Sequence, residues 1–408
     1  MFPGNTIPAR GAIRSLLPIA RSYAASGGSL IISAAAQLAT FAILARALGV
    51  HEFSLFVAIT AVANVAVHMC GLGGMECLVR RVARDRSIYG AMLGHNIILT
   101  AASGVVLVAA GAAVLPFFFT LSPDPATNSA IIAVMLVTNI ILVRAILLVE
   151  QIFIAHGDYA MANMMVIGFA LARTAAVAVA CLGFGIDTVA QWALWQFAAH
   201  LLVALAFAVV VRRLGPPVFR IVREELPQGV FFSVPFILHA VRQNADLLVL
   251  SLVAPAEVMS SYSLARRMLE SSYLAVEALN RLLYPTLARA AVDGIHNAVP
   301  VVRKVAAAAG MISLATAVAV YMLAPVLPYI FGAEYVSLAS GYQAQRAMVR
   351  GFGSVAGAAL TAWATWYSPP AGTFISFYII EFMMVVASWR MFARLVRDDR
   401  ATSARRQG

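Results

Sequence analysis

Apolar runs of about twenty residues, long enough to cross a bilayer at about 1.5 Å rise per residue, recur along this chain from end to end. A segment in hydrocarbon must satisfy its own backbone hydrogen bonds, so such a chain folds as spanning helices or as a closed barrel. The runs are continuous rather than alternating, which excludes barrel strands. Of the 408 residues, 62% are hydrophobic and only 12% are charged, about half the charged share of a soluble domain. The expected fold is therefore all-α and polytopic.

Spans are expected at 26–48, 53–72, 90–116, 128–150, 161–184, 190–211, 229–253, 258–283, 304–330, 343–366 and 371–393, each boundary good to about four residues. That gives about eleven helices, or twelve if residues 334–393 divide differently. Arginines cluster after the second span (Arg80, Arg81, Arg84, Arg86), after the sixth (Arg212, Arg213, Arg220, Arg223) and after the eighth (Arg289, Arg303, with Lys304). These mark one face, and the positive-inside bias makes it, with the N-terminus, cytoplasmic. Eleven spans would leave the tail arginines, Arg394 to Arg406, on the other side. The net charge of +11 thus reflects loops rather than nucleic-acid binding. Cys70, Cys77 and Cys181 show neither metal spacing nor a disulfide framework, and no metal or cofactor site is expected.

Residues 37–56 align without a gap on residues 243–262, each copy a span end, a turn, an acidic residue and the next span start. Two similar halves follow: a lobe over 1–211, a basic linker over 212–228, a second lobe over 229–393 and a basic tail over 394–408. Repeated halves build many transporters, with the substrate path between them. Residues 10–22 and 216–228 read as interfacial helices preceding each half. Trp192 and Trp195 fit an aromatic belt at the outer surface.

The eighth span holds the densest charge. Arg266, Glu270, Glu277 and Arg281 fall within roughly a 60° arc at about 100° per residue, with Ser263 and Tyr273 beside them. An ionised group facing lipid at mid-bilayer costs about 2.5–3.5 kcal/mol, so four on one stripe must face protein or water. His239, Arg242 and Asp246 form a second stripe, Arg346 and Arg350 with Ser354 a third. Thr60, Asn64 and His68 form a milder one in the first half, as do Ser33, Gln37 and Thr40; Arg144, Glu150 and Arg173 add charge in the fourth and fifth spans. These stripes describe a polar chamber between the halves. Arg242, Arg266, Arg281, Arg346, Arg350, Arg144 and Arg173 would hold a pyrophosphate, since the guanidinium fork donates parallel bonds and stays charged when desolvated. Asp246, Glu270 and Glu277 are candidates for ion coupling. The competing reading of the same spacing is internal pairing, Arg242 with Asp246 and Arg266 with Glu270.

Several stretches resemble one family. ARALGVHEFSLF (residues 45–56), GLGGMECLVRRVAR (71–84) and NADLLVLSLVAPAEVMSSYSLARRM (244–268, with Asp246 and Tyr262), followed by YPTLAR and LPYIFGAEY, resemble Wzx-like polysaccharide-biosynthesis flippases. These form the oligosaccharide branch of the multidrug/oligosaccharidyl-lipid/polysaccharide exporter superfamily. The resemblance implies two lobes around an alternating-access cavity in the inner membrane, and flipping of an undecaprenyl-pyrophosphate-type lipid-linked glycan. It implies a polysaccharide polymerase or export machinery as partner, and no enzymatic activity. A multidrug antiporter of the same superfamily is a second reading; a membrane glycan polymerase or acyltransferase, from another class, is a third.

Overall fold

The computed structural model describes residues 9–264 together with 266, 267, 379 and 383. The expected spans from 304 onward and the basic tail lie outside the described residues, as does most of the second lobe. What is described is all-helical, and five segments are long and apolar enough to cross a membrane: Ile31–Met69, Arg86–Phe117, Pro125–Ala155, Tyr159–Gly183 and Val189–Leu214.

Helix α1 (Ala9–Met69) contains two of the expected spans. It breaks at Gly49, whose φ of 70° and ψ of 178° are non-helical. Phe41 and Phe56 show what the break does, since their rings lie 6.1 Å apart. Fifteen residues of straight helix would separate them by about 22 Å, so the chain reverses and α1 is two antiparallel legs. The first leg runs unbroken from Ala9, so residues 10–22 continue the span rather than forming a separate interfacial helix.

The return leg ends in a left-handed turn, Gly71 (φ 80°), Leu72 (φ 46°) and Gly73 (φ 70°). A short amphipathic helix, α2 (Gly74–Val82), follows. Asp85 accepts from Ser87 N and Oγ (2.9 and 2.7 Å) and leads into α3 (Tyr89–Val114). At the opposite end Asp124 caps α4 (Pro125–Leu136), accepting from the Thr127 hydroxyl at 2.6 Å and backbone N–H at 2.8 Å. Those bonds, the hydroxyl's first, hold its carboxyl below the usual range. A π-turn over Val137–Leu142 carries α4 into α5 (Val143–Ala155) as one span. Helices α6 (Tyr159–Ala178) and α7 (Val189–Val211) follow. Helix α8 (Leu226–Val253) comes after the linker, and after a break at Ala254 and Pro255 the helix α9 starts at residue 256 and is described to residue 267 except at 265.

Packing depends on small residues that let backbones approach, the main route to helix association in lipid. Ala45, Ala58, Ala61, Ala63, Ala180 and Ala193 are buried among Leu44, Phe53, Ile59, Ile132, Met135 and Trp192. Trp192 is 1% exposed and belongs to this core, not to an aromatic belt, because a buried indole cannot face headgroups.

The linker is neither free nor helical over most of its length. Gly215-Pro216-Pro217 keeps it extended, and helix resumes only at Leu226, after one short turn over Arg223–Glu225. Val218 N donates to Gly90 O at 2.7 Å and Val222 N to His95 Nδ1 at 3.2 Å. The strap thus lies on α3. Glu225, 3% exposed, then receives Arg80 Nη2 at 2.6 Å and pairs with Arg81 Nε at 3.0 Å. Beside this clamp the turn at Gly73 touches α8. A Cβ on Gly73 would stand 1.8 Å from Gly229 O.

Gly49 and Gly73 share a φ of 70° but differ in ψ, 178° and 10°. A Cβ on Gly49 meets nothing within 4 Å, so Gly49→Ala should cost only the backbone strain of a conformation that favours glycine, about 1–3 kcal/mol. Gly73→Ala adds a backbone collision and should lower the unfolding temperature of the detergent-purified protein well beyond Gly49→Ala; equal shifts would mean that the contact with α8 is not formed.

Candidate functional site between the lobes

Asp246, Arg266 and Arg267 converge where α1 meets α8 and α9. Asp246, on α8, is 3% exposed. Its Oδ1 accepts Arg266 Nη1 at 2.8 Å and Leu247 N at 2.9 Å; its Oδ2 accepts the Tyr262 hydroxyl at 2.6 Å. Arg266 and Tyr262 are themselves 5% and 6% exposed. A buried carboxylate in a spanning helix needs this kind of satisfaction, because an unpaired charge there would cost several kcal/mol. The break at Pro255 makes it possible by folding α9 back along α8. Sequence spacing points along α8, to Arg242, as the partner of Asp246; the carboxylate reaches across to α9. Arg242 Nη2 donates to His239 Nδ1 at 2.8 Å.

Beside this cluster is a pocket lined by Phe41, Val57, Thr60, Ala61 and Asn64 of α1, Leu247 of α8, and Ser263, Arg266 and Arg267 of α9. The stripe of Thr60 and Asn64 therefore does face the second lobe. Arg267 lies over the ring of Phe41, its guanidinium carbon 4.3 Å from the centroid, a cation–π contact within the pocket lining. Arg173 of α6 is close enough to Arg267 for the two charges to repel. Its Nε is buried without a hydrogen-bond partner among the described residues. Arg266 thus bonds the carboxylate, Arg267 lines the pocket with hydroxyl and amide groups, and Arg173 stands within electrostatic range of Arg267.

Nearer the basic end, Arg144 of α5 is 5% exposed and 3.9 Å from Glu76 of α2. His68 of α1 lies within electrostatic range of both Arg144 and His239, so these residues continue the polar seam along α8. Thr40, by contrast, faces α6, where its hydroxyl is 3.0 Å from that of Thr174. Glu270, Glu277, Arg281, Arg346 and Arg350 lie outside the described residues. Arg267 and Phe41 are the residues that stripe counting passes over. Arg267 sits one position off the Arg266 face, and an apolar ring carries no polar signal.

The described helices form a multi-pass membrane fold, and solved membrane-protein structures share that fold over nearly the whole chain. A crystal structure described as MATE in complex with MaL6 matches with a TM-score of 0.58 at 15% identity, covering 93% of this chain and 97% of the other. An outward-facing multidrug resistance MATE family transporter of the MOP superfamily matches with a TM-score of 0.56 at 16% identity, with the same coverage. Among curated proteins no match is found. The family model for polysaccharide biosynthesis proteins matches residues 19–291, and the chain belongs to that family.

Asp246→Ala removes the carboxylate that Arg266 and Tyr262 both contact, and should destabilise the protein by about 3–5 kcal/mol. Tyr262→Phe removes one hydrogen bond to a charged acceptor and should cost about 1.5–3 kcal/mol. Thermal unfolding of the two single variants and the double variant should give strong non-additivity; additive losses would mean that the contact does not hold the hairpin together.

Proposed function

We propose that this protein flips an isoprenoid-pyrophosphate-linked oligosaccharide across the inner membrane, with its basic end in the cytoplasm. The observation that carries this reading is the pocket between the lobes, where Arg266 and Arg267 stand with Arg173 close by. A pyrophosphate is a dense anion with many acceptor oxygens, and guanidinium groups supply several charge-assisted bonds to it at once. Thr60, Asn64 and Ser263 add donors and acceptors of the sort that suit sugar hydroxyls without demanding one sugar. Membership of the polysaccharide biosynthesis family supports the same substrate class.

The rival reading is export of small-molecule drugs, as the name of the multidrug resistance relative suggests for that protein. A cavity for lipophilic cations calls for carboxylates and aromatic rings. Here the described carboxylate in the cluster is engaged by Arg266 and Tyr262, and the charged residues described in the pocket lining, Arg266 and Arg267, are both of the type that binds anions.

Deleting the gene should abolish one surface or secreted polysaccharide and cause its lipid-linked precursor to accumulate on the cytoplasmic side. In the complemented strain, Arg173→Gln with Arg267→Gln should reduce export about 10- to 100-fold, the equivalent of one strong charge-assisted bond, while the protein still reaches the membrane at normal levels. Undiminished export by that double variant, or a deletion that alters drug tolerance but no polysaccharide, would reject the reading.

A further inference from the structure

The strap over residues 215–222 has a surface that the transport reading does not use. Val218, Phe219 and Ile221 are 51%, 67% and 48% exposed. They cannot be a flexible linker's chance exposure, because the backbone beneath them is fastened. Val218 N bonds Gly90 O, Val222 N bonds His95, and the strap lies so close to α3 that a Cβ on Gly94 would stand 2.0 Å from Val218 O. Only a glycine admits this approach.

The face of α3 on which the strap lies identifies what the three side chains meet. Gly90 and Gly94 are followed along the same helical face by Ile97, Ala101 and Val105 at i+3 and i+4 spacing, and all three are exposed and apolar. That stripe belongs to a membrane span, so its partner is the acyl chains. The strap thus covers the basic end of a lipid-facing stripe, about one helical turn in from the helix start. Phe231, at the start of α8, is exposed at the same end.

Charge frames the patch. Arg212, Arg213, Arg220 and Arg223 are all exposed and make no ion pair among the described residues. The acidic residues nearby are engaged elsewhere, Glu225 with Arg80 and Arg81, and Glu224 near Arg81 at 3.9 Å. Apolar side chains at the boundary of the hydrocarbon, ringed by arginines, are the pattern of a segment that lies in the interface of an anionic leaflet. We propose that residues 212–223 form a bilayer-docking strap. Val218, Phe219 and Ile221 enter the acyl boundary, and the four arginines hold the phosphate headgroups of anionic phospholipids. The proposal does not depend on what the pocket carries.

The test uses the full-length protein in nanodiscs of phosphatidylcholine, with or without phosphatidylglycerol. Native Cys70, Cys77 and Cys181 are buried, and burial together with Glu225 pushes the Cys77 thiol up to about 12, so a single introduced cysteine can be labelled selectively. A fluorophore on Phe219→Cys should be quenched by lipids brominated near the headgroup end of their chains, and more strongly when phosphatidylglycerol is present. Replacing the four arginines by glutamine should abolish that lipid difference. Ile221→Cys gives a second vantage should the first variant fold poorly, and Leu202→Cys, 71% exposed on α7, reports correct insertion. Quenching by aqueous iodide but not by brominated lipid would overturn the proposal and point to a soluble protein partner on this patch. Equal bromine quenching in the two lipids would overturn the headgroup assignment.

Discussion

The cost of a charge in hydrocarbon organises this molecule. Each ionised side chain in a spanning helix would lose about 2.5–3.5 kcal/mol or more against lipid, so the helices must turn until those groups meet protein. Asp246, Arg266 and Tyr262 do so at the lobe interface, Arg144 meets Glu76 inside the first lobe, and Glu225 meets Arg80 and Arg81 at the basic end. What remains outside is apolar: Val105, Leu171, Leu202, Leu205 and Val209 are all more than half exposed. Helix rotation is therefore fixed by where the charges are hidden, and close packing of alanines and glycines then brings the helices together.

The internal repeat shows two solutions to one geometrical task. Gly49 and Pro255 occupy equivalent positions of the two copies, and at both the chain leaves helix and doubles back. Gly49 does it through a left-handed φ, and Pro255 by ending the hydrogen-bond ladder. The hairpins are then held shut differently. In the first, Phe41, Phe53 and Phe56 stack with centroids about 6 Å apart. In the second, the position equivalent to Phe56 is Tyr262, and its hydroxyl binds Asp246. Aromatic packing has thus been kept at one site and converted to a polar lock at the other. The two hairpins also touch each other, through Ser260 Oγ to Val50 O at 2.7 Å.

Much of this was legible in the sequence because lipid imposes long, simple patterns. From residue 53 to residue 253 the expected spans agree with the helices, and the two basic segments that are described share one end, where Arg80 and Arg81 meet Glu225. The inward direction of Thr60, Asn64 and Arg266 was also readable, since only one face of a charged span can be hidden. Shorter features were not legible. Helix α2 is amphipathic, but its nine residues are too short a stretch to separate from a basic loop, yet Arg80 and Arg81 need its helical spacing to reach Glu225 together. The strap's extended path depends on a Gly90–Gly94 groove in another helix, and no local pattern records that. The choice of Arg266 over Arg242 for Asp246 depends on how α9 folds back, a tertiary matter that i+4 spacing cannot weigh.

The composition of the pocket has a consequence for a carrier of anions. A site of bare guanidinium groups would hold a pyrophosphate tightly and release it slowly, whereas turnover needs binding that differs between states rather than binding that is strong in both. Asp246 supplies an internal competitor: its carboxylate already occupies part of the Arg266 fork, so an incoming anion exchanges one set of charge-assisted bonds for another instead of filling an empty one. Arg267 is held in another way, over the face of Phe41. The two arginines therefore differ in what already engages them. Because Asp246 and Arg266 sit on separate helices, α8 and α9, any shift of one against the other changes how far the carboxylate competes. In the proposed flippase, that makes the affinity of the pocket a function of the hairpin's geometry, which is the coupling between binding and movement that alternating access requires.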